Sequence, residues 1–526
     1  MKWIKSLCFV ALTLACFQAN AENCGSNRSK RLNAEEQLHH APQASLSHSS
    51  GYPWEQNSDY WIKLGQKHVV EKVSQKLNKN RAKNVVFFMG DGMSVATQFA
   101  TRVALGGEEH QLSFEKFPYA GLLKTYCVDS QVGDSACTGT AYMCGVKANY
   151  QTLGVDAQVN YEDCVAGLNT ATHTESITQW ALNAGKSVGI VTTTRVTHAS
   201  PAASYAHTSN RHWENDYEIR RSGCDPKKIK DIAQQLIHGP TGSRYSVILG
   251  GGRGEFRDST MADEEGGFGY RNDSRDLISE WLNSGTAKKK YVWNRQGLMS
   301  LPSDTEKVLG LFEQSHMQYY LESQEKGSQK SEPTLAEMTK KAIEILEKNK
   351  KGFFLFVEGG KIDLAHHDLM SRAAIWETIE MHNAVKLARD MLSDEDTLFV
   401  VTADHAHTMT VSGYPTRGND IFGEVDREIA TDGMPYMTLS YANGLKSSKQ
   451  YSAYGRVNPA TSDFSRWNSN FPFYVPIKEE ESHGGEDVTV HACGPYAHLF
   501  TGTMEQSFIP HLIAYAAGIG HGPKSP

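Results

Sequence analysis

The chain lacks most features that would assign it to a simple class. After its first residues, no segment of the 526 approaches the roughly 20 apolar residues of a membrane span, so no stable membrane insertion is expected. It has no excess of positive charge: 53 basic residues stand against 60 acidic ones, for a formal net charge of −7, and no nucleic-acid partner is expected. No G-x-S-x-G elbow marks an esterase-type serine. After Phe508–Gly518, a candidate last helix, the chain shows none of the roughly 10–20 apolar residues that end a glycolipid-anchor signal, so an unanchored protein is expected.

One apolar run does exist, at the start. Met1-Lys2-Trp3-Ile4-Lys5 precedes an apolar stretch from Leu7 to Phe17 and the small-x-small pattern Ala19-Asn20-Ala21, which together predict a secretory signal over residues 1–21. A secreted, extracellular protein is the expectation. Cleavage would remove Cys8 and Cys16 from the nine cysteines and leave Cys24, Cys127, Cys137, Cys144, Cys164, Cys224 and Cys493, an odd number in an oxidising compartment. N-x-S sequons at Asn27 and Asn272 are candidate glycosylation sites there.

Residues 22–80 read as a polar arm leading into a helix around Tyr60–Leu77. From there, short β-branched and aromatic runs alternate with helical stretches, predicting an α/β fold with a large, mostly parallel sheet covered by helices on both faces. The catalytic domain is expected over 81–408 and 481–518. Residues 409–480, rich in Gly, Tyr, Ser, Asn and Pro, read as a crown-like surface insertion, and 519–526 as a short tail. Length alone allows about three domains of ~150 residues. The chemistry-bearing motifs, however, run from Asp91 to His483 and must converge on one site.

Those motifs sit at strand ends, where ligands gather in open α/β sheets. Phe353-Phe354-Leu355-Phe356-Val357 runs into E-G-G-K-I-D-L-A-H-H, placing Glu358, Asp363, His366 and His367 within ten residues on what reads as a strand-to-loop turn. Hard carboxylates and imidazoles in that spacing suit Zn²⁺ and Mg²⁺. Val85–Met89 leads to Asp91, Leu398–Val401 to Asp404 and His405, and Val188–Val191 to a Thr run ending at His198 and Ser200. Ser135 follows Asp134 at the start of a small-residue helix, where backbone N–H groups and the dipole favour an anion. Arg211 offers a guanidinium fork that suits a phosphate dianion. Singly, each has a bland reading: a capping Ser, a surface Arg, a loop His483.

Taken in order, M-G-D-G-M, D-S-A-C-T-G-T-A-Y, T-T-T-R-V-T-H-A-S-P-A, L-G-G-G-R, F-V-E-G-G-K-I-D, V-T-A-D-H and H-G-G-E-D-V resemble the animal alkaline phosphatases, over roughly residues 54–518. The resemblance implies hydrolysis of small phosphate monoesters through a phosphoserine, with two zinc ions and one magnesium ion. It makes Ser135 the nucleophile and Arg211 the phosphate-binding residue. Asp404 and His405 match the ligands of the zinc at the Ser oxygen, and Asp363, His367 and His483 those of the second zinc. Asp91 matches the carboxylate that bridges a zinc and the magnesium, and Ser200 and Glu358 the other magnesium ligands. His198 falls near the magnesium, while His366 has no counterpart among the ligands. A structural calcium is implied at Phe312, Glu313 and Glu332, with the fourth ligand among Asp263, Glu264 and Glu265; Glu265 is preferred. A homodimer and a Cys164–Cys224 disulfide are implied as well. Cys127 and Cys137 flank the nucleophile segment and are able to pair, but the sequence leaves their connectivity open.

The chain departs from many animal members, which read I-D-H-x-H-H, at Leu364 in I-D-L-A-H-H. The rival readings are a sulfatase or phosphodiesterase on the same fold and a secreted metal-binding protein without activity. A sulfatase needs C-x-P-x-R, which is absent here, and phosphodiesterase relatives use Thr and lack the Arg. The inactive protein is opposed by the full set of candidate ligands.

Overall fold

Ten strands form the central sheet: β1 (Asn84–Gly90), β2 (Tyr119–Lys124), β3 (Ser187–Arg195), β4 (Val247–Gly251), β5 (Lys289–Val292), β6 (Lys307–Leu311), β7 (Phe353–Gly359), β8 (Thr397–Ala403), β9 (Val488–Cys493) and β10 (Gly502–Glu505). Their order across the sheet is β10-β2-β9-β8-β1-β7-β3-β4-β6-β5. The seven strands from β8 to β5 pair in parallel, and β9 runs antiparallel between β8 and β2. This computed structural model describes residues 53–327, 332–444, 451–452, 455–456, 458–471, 473–475 and 480–524. The signal segment, Cys24 and Asn27 lie outside the described residues.

β1, β7 and β8 are buried at every position, which is why their sequences are continuous apolar runs rather than alternating ones. Burying each Phe, Val or Leu of these runs contributes about 1.5–3 kcal/mol. Helices cover both faces of the sheet. An amphipathic helix at Leu335–Leu346, started by the Thr334/Glu337 capping box, packs on β3 and β7 and against the helix Ser371–Met391. Ile177–Asn183 and Ile509–Ala517 also pack on the sheet, against β3 and β1 respectively.

The N-terminal helix spans Ser58–Ser74, slightly shorter than its sequence suggests, and none of its residues is buried. Trp61, Ile62, Leu64, Val69, Val70 and Val73 are exposed along it. Within residues 409–480, Met409–Val411, Leu439–Asn443 and Phe473–Val475 form a three-stranded sheet separate from the central one. Among the described residues two disulfides are present, Cys127–Cys137 and Cys164–Cys224, while Cys144 and Cys493 are free and buried. The first answers the connectivity that the sequence left open.

Candidate metal centre and nucleophile

Parallel register brings the strand-end residues together. Met89 on β1 lies opposite Glu358 on β7 and Thr402 on β8, so Asp91, Glu358 and Asp404 emerge side by side at the carboxyl edge; Thr192 of β3 lies opposite Glu358. Past β1 the chain turns sharply at Gly92, which has φ +66°. A Cβ there would sit 2.3 Å from the His407 ring, so only glycine fits.

Three clusters of ligand atoms result, each within 4.8 Å: Asp363, His367, His407 and His483; Asp91, Asp404 and His405; and Asp91, His198 and Glu358. Asp91 belongs to two of them. Ser200 Oγ donates to Asp91 Oδ2 at 3.4 Å, beside the third. Ser135 Oγ lies 3.2 Å from His405 Nε2 and 3.4 Å from Asp91 Oδ1, at the mouth of the second.

The segment expected to be a strand-to-loop turn is instead a helix, Lys361–His367. Its turn puts Asp363 and His367, four residues apart, on one face. His366 is turned away and fully used: Nε2 meets Thr97 Oγ1 and Nδ1 meets Tyr441 OH, both at 2.9 Å. It therefore has no nitrogen to offer in place of a histidine at Leu364, which is half-buried against the main core.

The tautomers show what the first cluster needs. His367 Nδ1 donates to the Glu481 carbonyl at 2.6 Å and His483 Nδ1 to the Gly133 carbonyl at 2.8 Å. A neutral imidazole donating from Nδ1 leaves a bare lone pair on Nε2. The two Nε2 atoms face each other at 3.0 Å, and each is 3.3 Å from Asp363 Oδ1. Two lone pairs and a carboxylate aimed at one point fit a cation. At the third cluster, Glu358 accepts from Thr192 and, at 3.1 Å, from Thr194 through Oε2, while Oε1 is buried without a hydrogen bond. That orphaned oxygen fits an ion as well.

Electrostatics agree. Burial pushes Asp91 well above the usual carboxylate range, and the charges of Asp404, Asp363 and Glu358 push it further. Burial raises Asp404 too, and lifts Glu358 to about 7. Burial acts the same way on Asp363, but His367, His407 and His483 outweigh it and hold that carboxyl well below normal. His407 lies between two carboxylates, with Nε2 2.7 Å from Asp363 Oδ1 and Nδ1 2.6 Å from Glu481 Oε2. Burial lowers its pKa, but Glu481 and Asp363 dominate and push it up to about 10, so it is an imidazolium at neutral pH.

The nucleophile candidate begins a helix, Ser135–Cys144, that is buried throughout and N-capped by Asp134, which accepts from the Ala136 and Cys137 amides at 3.2 and 3.3 Å. Asp134 also takes Arg211 Nη1 at 2.9 Å, so one carboxylate fixes both the serine's helix and the guanidinium. Arg211 Nη2 is 3.1 Å from His198 Nε2. His316 stands edge-on to His198 with ring centres 5.3 Å apart, and bonds Arg195.

At the expected calcium set, Phe312 is buried and Glu332 is pushed up to about 8, first by burial, with neighbouring Glu313 adding to it. Glu332 Oε1 is buried without a hydrogen bond. Glu265 is instead paired with Arg253, which also holds Asp263 at 2.9 Å, and the three carboxylates do not gather as tightly as the clusters above. Asn272 is exposed.

His407, Glu481 and His316 did not stand out in the sequence. His407 had a signal: two residues after His405 in extended chain, it returns to the same side.

A family model described as alkaline phosphatase matches residues 82–519. The chain is 48% identical over 484 residues to the membrane-bound alkaline phosphatase of Bombyx mori, covering 89% of this chain and 86% of that one. It is 44% identical over 489 residues to the tissue-nonspecific isozyme of Gallus gallus, covering 89% and 90%. Among solved structures, the Thermus thermophilus alkaline phosphatase superimposes with a TM-score of 0.61 at 21% identity, covering 86% of this chain and 94% of that one. A TAB5 alkaline phosphatase mutant with Mg bound gives 0.58 at 20% identity, covering 84% and 100%.

Proposed function

Since the chain belongs to the alkaline phosphatase family and is a metal-dependent phosphomonoesterase, we propose that it works through a phosphoserine at Ser135 with two zinc ions and one magnesium ion. Asp363, His367 and His483 would hold one zinc, Asp91, Asp404 and His405 the other, and Asp91, Ser200 and Glu358 the magnesium. When bound, these ions supply the Lewis acidity that activates the serine hydroxyl and then a water, and that neutralises the leaving oxygen. The observation that carries the reading is the position of Ser135 Oγ at the edge of a cluster that shares Asp91 with the next.

The chain's own residues account for the rest. Ser135 presents its Oγ at a helix start, where amides and dipole favour the negative charge of an attached phosphoryl group. Arg211, oriented by Asp134, donates to the phosphoryl oxygens that carry charge in the transition state. With the ions bound, the setting would favour a monoester dianion over a diester. Trapping with labelled phosphate at acidic pH should label Ser135. Ser135→Ala should lose turnover by several orders of magnitude while still binding zinc and phosphate; label on any other residue would sink the assignment.

The signal-like leader supports export from the cell, tested by whether activity is found in the medium or is released from the cell surface by a phosphatidylinositol-specific phospholipase. The exposed apolar row on Ser58–Ser74 supports a homodimer with that helix in the interface. Deleting residues 53–74 should then yield a monomer in light scattering.

A further inference from the structure

Glu481 belongs to no ligand set above, yet it is only 1% exposed and every polar atom it has is committed around one cluster. Its amide donates to the His367 carbonyl at 3.0 Å, and its own carbonyl accepts from His367 Nδ1 at 2.6 Å. Oε1 accepts from the Thr408 amide at 2.7 Å and the Thr408 hydroxyl at 2.5 Å. Oε2 takes His407 Nδ1 at 2.6 Å, and His407 in turn holds Asp363 Oδ1 at 2.7 Å.

We propose that Glu481 is the positioning residue of the Asp363–His367–His483 cluster, a clasp that holds its ligand atoms together before an ion arrives. The main chain of residue 481 sets the tautomer and ring plane of His367. Its carboxylate fixes His407, which fixes Asp363. Both routes end on atoms of the same cluster, and a buried carboxylate with three bonds has little freedom to leave. His483 is held separately, by the Gly133 carbonyl and by the Ser482 amide bonded to Asn443 Oδ1 at 2.9 Å. Loss of the carboxylate should therefore loosen Asp363 first, His367 next and His483 least.

The proposal rests on the metal-binding reading above, and its test separates the two. Metal-stripped full-length protein and the variants Glu481→Ala, Glu481→Gln and Thr408→Val are titrated with Zn²⁺. Each is also loaded with Co²⁺, whose absorption bands report ligand geometry. Outer partners of metal ligands are worth about 10- to 100-fold in affinity. Glu481→Ala is expected to lose that much at one site and to change the cobalt spectrum. Glu481→Gln, which keeps the shape and an acceptor for Thr408, should lose less, and Thr408→Val least. Glu255→Gln alters another buried carboxylate, 5% exposed and outside all three clusters, and should bind as the parent does. Parental affinity and cobalt spectrum in the folded Glu481 variants would overturn the proposal, as would an equal loss in Glu255→Gln. If Glu481→Ala does not fold, Glu481→Gln decides. A parent protein that takes up no zinc would overturn the metal reading itself.

Discussion

Replacing Glu358 by Gln should stabilise the metal-free protein at pH 8 and destabilise the loaded one. The carboxyl is moved from 4.5 up to about 7 by burial first, an effect the Thr192 hydrogen bond opposes and the Asp404 charge adds to. A carboxyl whose folded value lies above its unfolded one binds a proton on folding. It costs nothing below pH 4.5, and the penalty grows as pH rises to about 7, then stays constant. At about 1.4 kcal/mol per pH unit, the gap between those values is worth on the order of 3 kcal/mol. For a body of ~470 residues with an unfolding entropy near 2.1 cal/mol/K per residue, that is a shift in Tm of roughly 3 °C. Gln keeps the shape and an acceptor for Thr192 and Thr194 but carries no charge. Chelated Glu358→Gln should thus melt about 3 °C above chelated parent at pH 8, with the difference closing near pH 4.5–5. Added Mg²⁺ should raise the parent's Tm and leave the variant nearly unmoved, reversing the order. Scanning calorimetry at both pH values, with and without Mg²⁺, reads all four states. A metal-free parent at least as stable as the variant at pH 8, or a gap independent of pH, would refute the reasoning.

Arg211→Lys keeps the charge but loses the fork that Asp134 orients; phosphate inhibition should weaken and kcat/KM fall about 10- to 100-fold, the worth of a charged hydrogen bond, measured on p-nitrophenyl phosphate. Leu364→His should tighten inhibition by phosphate and slow turnover in alkaline buffer, because His366 is already bonded at both nitrogens and offers no substitute; unchanged inhibition would dispose of that idea. Glu332, pushed up to about 8 beside Glu313, costs stability increasingly from its unfolded value to about pH 8. Ca²⁺ should therefore raise the Tm of the parent at pH 8, but not that of Glu332→Gln, if that pair takes part in a calcium site.

The sheet was legible because its central strands are buried on both faces, so the sequence shows them as unbroken apolar runs. The site was legible where those runs end in charge. Asp91, Glu358 and Asp404 have no reason to follow Met89, Val357 and Ala403 unless the strand edge has a use for them, and parallel register then aligns them. What was not legible depends on rotation and distance. His366 and His367 are adjacent in sequence but about 100° apart around the helix Lys361–His367, so one meets Asp363 and the other meets Thr97 and Tyr441. A reading of that segment as a turn had no basis for separating them; only the resemblance did. Glu481 lies beyond a long stretch of unrelated pattern, and its partners Thr408 and His407 are over seventy residues away. No local periodicity encodes such a contact. Glu265 lies in an acidic loop whose composition does not show that its carboxylate meets Arg253.

The balance of charge ties these residues into one account. Asp91, Asp363, Asp404, Glu358 and Glu481 are all at most 3% exposed. Arg211 offsets little of this, since its charge is matched by Asp134. The His407 imidazolium offsets one carboxylate, and three other histidines of the clusters cannot help. His405 and His198 are held well below their normal range by burial, and His367 below it, so they stay neutral. A fold that buries this much negative charge has two ways to remain stable. Without cations it takes up protons, as the raised values of Asp91, Asp404 and Glu358 indicate. With cations it would release those protons and use the freed oxygens as ligands, so that metal binding, proton release and folding stability would become one linked equilibrium. At alkaline pH the protons are no longer available on favourable terms, and only divalent ions can balance the site. The conditions under which Ser135 would act are therefore those in which this chain depends most on its metals.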